Sequence, residues 1–121
     1  MYEYKAEVLR VVDGDTIDVM VDLGFKTYRT ERLRLARVDA PEIRGKEKEK
    51  GLKVKEFVEN ILKDYPFVIV RTEKTGKYGR YIAEVYIPEM KGDGTYSLKR
   101  SLSNLLLETG RAKLYQGVRH D

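Results

Sequence analysis

Ile17-Asp18-Val19-Met20-Val21-Asp22-Leu23 alternates along its whole length, with Ile17, Val19, Val21 and Leu23 on one face and Asp18, Met20 and Asp22 on the other. A period of two with β-branched residues on the apolar side predicts a half-buried strand. Before it stands a turn signal, Asp13-Gly14-Asp15, preceded by Tyr4 to Val12, a stretch rich in β-formers; the two segments read as a hairpin. After it, Lys26 to Val38 alternates again around Leu33 and Leu35, with Arg32 and Arg34 opposite, and reads as a third strand. Asp39-Ala40-Pro41-Glu42 ends that strand, because proline cannot continue a ladder.

Beyond this point the period changes. Arg44 to Gly51 alternates lysine with glutamate and reads as a mobile surface loop. Val54, Phe57, Val58, Ile61 and Leu62 follow helical spacing, an amphipathic helix of about 12 residues that stops near Tyr65-Pro66. Phe67 to Thr72 reads as a fourth strand, and Lys74 to Arg80 as a basic turn. Ala83, Val85 and Ile87 form a fifth strand that Pro88 closes, and Lys91-Gly92-Asp93-Gly94 is another turn. Leu102, Leu105 and Leu106 mark a second helix, capped by Ser101 and ended at Gly110. The order βββ-α-ββ-α predicts an α+β, mainly β domain over 1–121, a five-stranded OB-fold barrel.

Composition narrows the chemistry. A chain of 121 residues can bury about two-thirds of its unfolded surface in one core. Cysteine is absent and His120 is the single histidine, so disulfides, thiolate zinc sites and histidine catalysis are excluded. Carboxylates, arginines, lysines and tyrosines remain. The 24 bases exceed the 20 acids, giving +4 and a pI near 9.2, a lean toward polyanions. No apolar run approaches the roughly 20 residues of a membrane helix, and Met1 to Lys5 carry no signal-peptide core. The expectation is a monomer without a membrane partner, either cytoplasmic or an exported chain trimmed of its signal.

Asp13-Gly14-Asp15 fails as an EF-hand loop: the fifth position is Ile17, the sixth Asp18 and the twelfth Gly24. One reading is a hairpin turn whose aspartates bond the local backbone. The other joins Asp15 to Asp39 and Glu42 as three carboxylates gathered by the barrel. Such oxygen donors suit Ca²⁺, Mg²⁺ or Mn²⁺, and a cation relieves their mutual repulsion. Arg34 and Arg80 read either as surface bases or, beside a cation, as the planar forks that grip a phosphate in an in-line displacement.

Three blocks, Val11-Val12-Asp13-Gly14-Asp15-Thr16, Arg34-Leu35-Ala36-Arg37-Val38-Asp39-Ala40-Pro41-Glu42 and Lys77-Tyr78-Gly79-Arg80, resemble the signature blocks of the staphylococcal (micrococcal, or thermo-) nuclease family. Gly110-Arg111-Ala112-Lys113 resembles that family's segment after the last helix, and the resemblance spans about 6–115. It implies that Asp15, Asp39 and the Ala40 carbonyl hold Ca²⁺. Glu42 would position or deprotonate the attacking water, and Arg34 and Arg80 would bind the scissile phosphate. It further implies cleavage of DNA and RNA with little sequence preference, leaving 5′-hydroxyl and 3′-phosphate ends. Lys77 and Tyr78 match positions that contact a terminal phosphate and a base or sugar; Tyr115 lies near the nucleotide-pocket tyrosines, whose aligned places hold Gln116 and Val118. Gly76 stands where some relatives carry an acid, and the hairpin before Arg34 and the Glu89-to-Tyr96 connection are longer than usual.

Lys26, Arg29, Arg32, Arg34 and Arg37 face only Glu31 and form the better phosphate track; the bases from Arg44 to Lys55 are diluted by Glu47, Glu49 and Glu56. Tyr78, Tyr81 and Tyr115 are expected near the site as base-stacking platforms. The rival reading is a catalytically silent nucleic-acid-binding or scaffold module on the same barrel. Silent copies typically lack some of the acidic or arginine positions, and here all five are present.

Overall fold

The computed structural model of the chain describes residues 2–75 and 81–115. Eight strands and two α-helices occur among them: β1 (Tyr2–Asp13), β2 (Thr16–Asp22), β3 (Tyr28–Leu35), β4 (Val38–Asp39), α1 (Lys48–Leu62), β5 (Val68–Thr75), β6 (Tyr81–Met90), β7 (Tyr96–Ser101), α2 (Leu102–Glu108) and β8 (Lys113–Leu114). The five longest barrel strands run in the order β3-β2-β1-β5-β6, and parallel pairing of Leu33, Arg34 and Leu35 with Tyr81, Ile82 and Ala83 joins β3 to β6 and closes the barrel. The expected five-stranded OB-type barrel with two helices is therefore present.

Alternation fixes what faces inward. Ile17, Val19 and Val21 of β2 and Leu33 and Leu35 of β3 are buried with Ala6, Val68, Val70, Ala83 and Val85. Each large aliphatic side chain so buried contributes about 1.5–3 kcal/mol. α1 adds Val54, Val58 and Leu62, and α2 adds Leu102, Leu105 and Leu106 to the same core. Ser101 caps α2 as expected, its hydroxyl accepting from the Asn104 N–H at 3.2 Å. Among the described residues no helix is long and apolar enough to cross a membrane.

Three expectations are corrected and one strand is added. The third strand does not run from Lys26 to Val38: it ends at Leu35, because Arg37 takes a left-handed φ of 69° and turns the chain before β4. The stretch from Arg44 to Gly51 is not a loop throughout. A 3₁₀ turn, Gly45–Glu47, leads into α1 at Lys48, since alternating Lys and Glu are good helix formers once a neighbouring turn nucleates them. Pro88 does not close the fifth strand; it sits at a register shift after Ile87, where a missing N–H costs no regular ladder bond, and β6 continues to Met90. Finally, Tyr96–Ser101, which lacks a clean apolar alternation, pairs with that extension as β7.

Candidate active site

The β1–β2 hairpin closes on Gly14 and Asp15, with Asp13 paired to Thr16. Gly14 is packed so closely that a Cβ would come within 2.6 Å of Val54 Cγ1 and 2.9 Å of the Ala40 methyl. The turn thus rests on α1 and on the segment after β4. Asp13 behaves as the hairpin reading expects, its Oδ1 accepting the Asp15 N–H at 3.1 Å. Asp15 does not. Its side chain points inward, 4% exposed, and Oδ2 accepts the Ala40 N–H at 2.8 Å while Oδ1 accepts from the Thr16 hydroxyl at 3.2 Å.

Arg34 leaves β3 on the face opposite Leu33 and Leu35 and forms an ion pair with Asp15 Oδ2. Its Nη2 reaches Asp39 Oδ1 at 3.2 Å. One guanidinium, with its side chain only 13% exposed, therefore bridges two carboxylates that are 24 positions apart in sequence. Burial alone would raise the Asp15 carboxyl, but the hydrogen bond to Asp13, the Arg34 charge and the Ala40 N–H outweigh it and hold it below the ordinary carboxylate range. Asp13 moves the other way, pushed up to about 6 by burial and then by its Asp15 neighbour.

Arg37 and its surroundings deliver Asp39. The Arg37 guanidinium pairs with both oxygens of Glu84, one at 3.0 Å, and reaches Asn104 Oδ1 at 2.8 Å. Its carbonyl accepts the Tyr115 N–H at 2.8 Å. Ser103, fully buried, donates its hydroxyl to the Ala36 carbonyl at 2.7 Å. The turn between β3 and β4 is thus tied to β6, α2 and the tail, and β8 pairs Lys113 opposite Asp39.

The expected residues are gathered only in part. Asp15, Arg34, Asp39 and Ala40 form one cluster, with Tyr115 on the adjoining chain. Glu42 is exposed and makes no hydrogen bond or ion pair with the described residues, and among these no group of three or more carboxylates or histidines is close enough to hold a metal ion. The three-carboxylate cluster is therefore corrected to a pair, Asp15 and Asp39, because Arg34 lies between them and Pro41 carries the chain onward to Glu42. Lys77, Tyr78 and Arg80 lie outside the described residues.

The bases of the expected phosphate track face more acids than Glu31. Arg29 pairs with Glu31, Arg32 grips Asp18 across β2 at 2.7 and 3.1 Å, and Arg37 is engaged by Glu84. Strand alternation hid two of these partners, since Asp18 and Glu84 belong to β2 and β6, the strands on either side of β3. Tyr81 pairs with Leu33, one register position from Arg34, and lines a cleft with Tyr2, Tyr4 and Leu23. One residue to which the sequence reading gave no role matters here, Gly51. A Cβ on Gly51 would overlap the Glu42 carbonyl, so this glycine sets where α1 meets the backbone of Glu42. The available signal was a glycine inside a run of helix formers.

An all-oxygen donor set of two carboxylates and a backbone carbonyl fits a hard divalent cation, whose remaining ligands would be water and substrate. Comparison with known proteins agrees with the setting. A model of the family "Staphylococcal nuclease homologue" matches residues 32–121, a stretch holding Arg34, Asp39, Ala40, Glu42 and Arg80. The chain is 32% identical over 117 residues to a micrococcal nuclease of Shigella flexneri, covering 94% of this chain and 60% of that protein. It is 35% identical over 88 residues to protein ParB of Escherichia coli, covering 70% of this chain and 43% of ParB. An uncharacterized endonuclease of Escherichia coli O157:H7 is 27% identical over 119 residues, 98% of this chain and 66% of that protein. The chain thus spans between 43% and 66% of the length of these relatives. On the family match and the identity to the micrococcal nuclease, the chain belongs to the staphylococcal nuclease homologue family.

Proposed function

We propose that this domain is a Ca²⁺-dependent nuclease that hydrolyses DNA and RNA phosphodiesters with little sequence preference. The observation that carries the reading is Arg34 bridging Asp15 and Asp39, a cation held where two carboxylates and a phosphate could exchange it. Asp15, Asp39 and the Ala40 carbonyl would hold the ion, which supplies charge neutralisation at the phosphate when bound. Arg34 then exchanges its carboxylate partners for nonbridging phosphate oxygens, joined by Arg80. Glu42, exposed and without a partner among the described residues, orients water and accepts its proton. The water oxygen bonds to phosphorus opposite O5′, the P–O5′ bond breaks, and O5′ takes a proton to leave as a 5′-hydroxyl. The other fragment ends in a 3′-phosphate. Lys77, Tyr78 and Tyr115 are assigned to the bound strand, and Arg32 and Arg37 would join them on exchanging Asp18 and Glu84 for phosphate.

The test is cleavage of denatured DNA and of RNA in Ca²⁺, in Mg²⁺ and in a chelator, followed by analysis of the product ends. Cleavage only with Ca²⁺, giving 3′-phosphates, is the expected result. Tight binding without cleavage under every metal would instead place the domain among silent binding modules.

A further inference from the structure

The end of the barrel away from Asp15 holds an open cleft of about 290 Å³. Tyr2, Tyr4, Leu23 and Tyr81 line it above the buried Val21 and Leu33. The Tyr2 and Tyr4 rings stack on each other 6.3 Å apart at 24°, and Tyr2 remains 66% exposed. Two residues beyond Leu23, the β2–β3 turn presents Phe25, wholly exposed, at φ 54°, followed by Lys26 at φ 58°. A bulky residue at positive φ is strained, and a ring left wholly in water gains nothing from folding. Glycine or asparagine would make this turn more cheaply. The fold therefore does not account for the phenylalanine.

We infer that this cleft, with Phe25 on the turn that follows its Leu23, forms a nucleobase subsite for single-stranded nucleic acid. The inference deepens the nuclease reading above and rests on it for the direction of the bound strand. A base is flat and apolar on its faces and polar at its edge. The tyrosine and phenylalanine rings offer stacking faces. Arg29 and Glu31, paired with each other on the wall of the same cleft, place donors and an acceptor within reach of the edge. Both lie on β3, the strand that carries Arg34: Glu31 is three residues from it and Arg29 five, about 10 and 17 Å along the strand. Alternation puts Arg29 and Glu31 on the inner face with Leu33 and puts Arg34 on the outer one, so a strand whose phosphate is held at Arg34 reaches the cleft over the rim of the barrel, a few nucleotides away. Only an unpaired base can do so, because in a duplex it stays paired and stacked. Substrate choice follows from this: single strands long enough to span β3 are held, and duplexes and very short oligonucleotides are not.

The chain contains no tryptophan, so Phe25→Trp installs a single indole reporter at the turn. In a chelator, to prevent cleavage, this variant is titrated with a thymidine dinucleotide, with a single strand of about eight nucleotides and with the matching duplex. Saturable quenching by the longer single strand alone is expected. Adding Tyr2→Ala or Arg29→Ala, both at exposed positions, is expected to weaken that binding by about fivefold or more. Unchanged fluorescence, or equal affinity in all variants, overturns the inference, as does a concentration-dependent signal accompanied by dimerisation in sedimentation. The two readings fail separately. Quenching in a domain that cleaves nothing removes the nuclease and keeps the subsite. Cleavage of long single strands that is indifferent to Tyr2→Ala and Arg29→Ala, without quenching, removes the subsite and keeps the nuclease.

Discussion

Gly51, the fourth residue of α1, lies against the main chain of Glu42 so closely that any side chain at position 51 would overlap the Glu42 carbonyl and press on the Ile43 nitrogen. Helix propensity alone gives Gly→Ala a gain of about 1 kcal/mol. Packing reverses that sign here. Gly51→Ala is expected to lower stability by about 1–3 kcal/mol and to lower kcat, because Glu42 moves with its backbone. Thermal unfolding checks the first outcome, and a raised Tm would refute the close approach.

Arg34 neutralises Asp15 and Asp39 in the absence of a cation, and so competes with one. Arg34→Met is expected to lower the stability of the metal-free protein while raising Ca²⁺ affinity roughly tenfold, the order of one charge-assisted hydrogen bond. Calorimetric titration with Ca²⁺ alone reads it. Weaker Ca²⁺ binding in the variant would mean that the two carboxylates do not share the ion.

Asp13 is the residue whose titration should be visible near neutrality. Its folded pKa, about 6, lies above the unfolded value of about 4. The folded state therefore holds the proton more tightly, and this contribution to stability is complete below pH ~4 and lost as pH rises through ~6. Asp13→Asn keeps an uncharged acceptor for the Asp15 N–H. In a chelator the variant should gain on the wild type between pH 4 and 7, by on the order of 1 kcal/mol for a group half open to solvent. Denaturant unfolding across that range gives the difference, and a constant offset would count against the shift. Asp15, lowered instead of raised, contributes with the opposite sign: its stabilisation is present above pH ~4 and fades below it.

Arg37 holds the site and, on exchanging Glu84 for phosphate, would touch the substrate. Arg37→Met leaves Glu84 without its main partner and is expected to cost about 1–3 kcal/mol of stability. kcat should fall as the turn bearing Asp39 loosens, and the salt slope of DNA binding should fall by about one, as for any phosphate-contacting arginine. An unchanged slope would leave Arg37 with the holding role alone. The two roles are told apart by binding curves at several ionic strengths.

Much of this was legible in the chain itself. Strict alternation around Val19 and Leu33 specifies the barrel walls, and the shift to helical spacing at Val54 specifies α1. The carboxylates flanking Arg34 were legible as a set because turn residues bracket each strand. Three things were not. The end of β3 depends on the left-handed Arg37, whose support comes from Glu84 and Asn104, distant in sequence. β7 forms on an extension of β6 past a proline, against local propensity. The partners of Arg32 and Arg37 come from neighbouring strands, Asp18 of β2 by cross-strand register and Glu84 of β6, so bases that read as facing only Glu31 have further acidic partners.

The most direct test of the catalytic assignment is the single-turnover rate at which denatured DNA is cut at saturating Ca²⁺, wild type against Glu42→Gln. The amide keeps the shape of Glu42 and cannot take a proton from water. The account expects Ca²⁺-dependent cleavage by the wild type and a loss of about 10²-fold or more in the variant. Cleavage by both proteins at similar rates would contradict it, removing Glu42 from the chemistry.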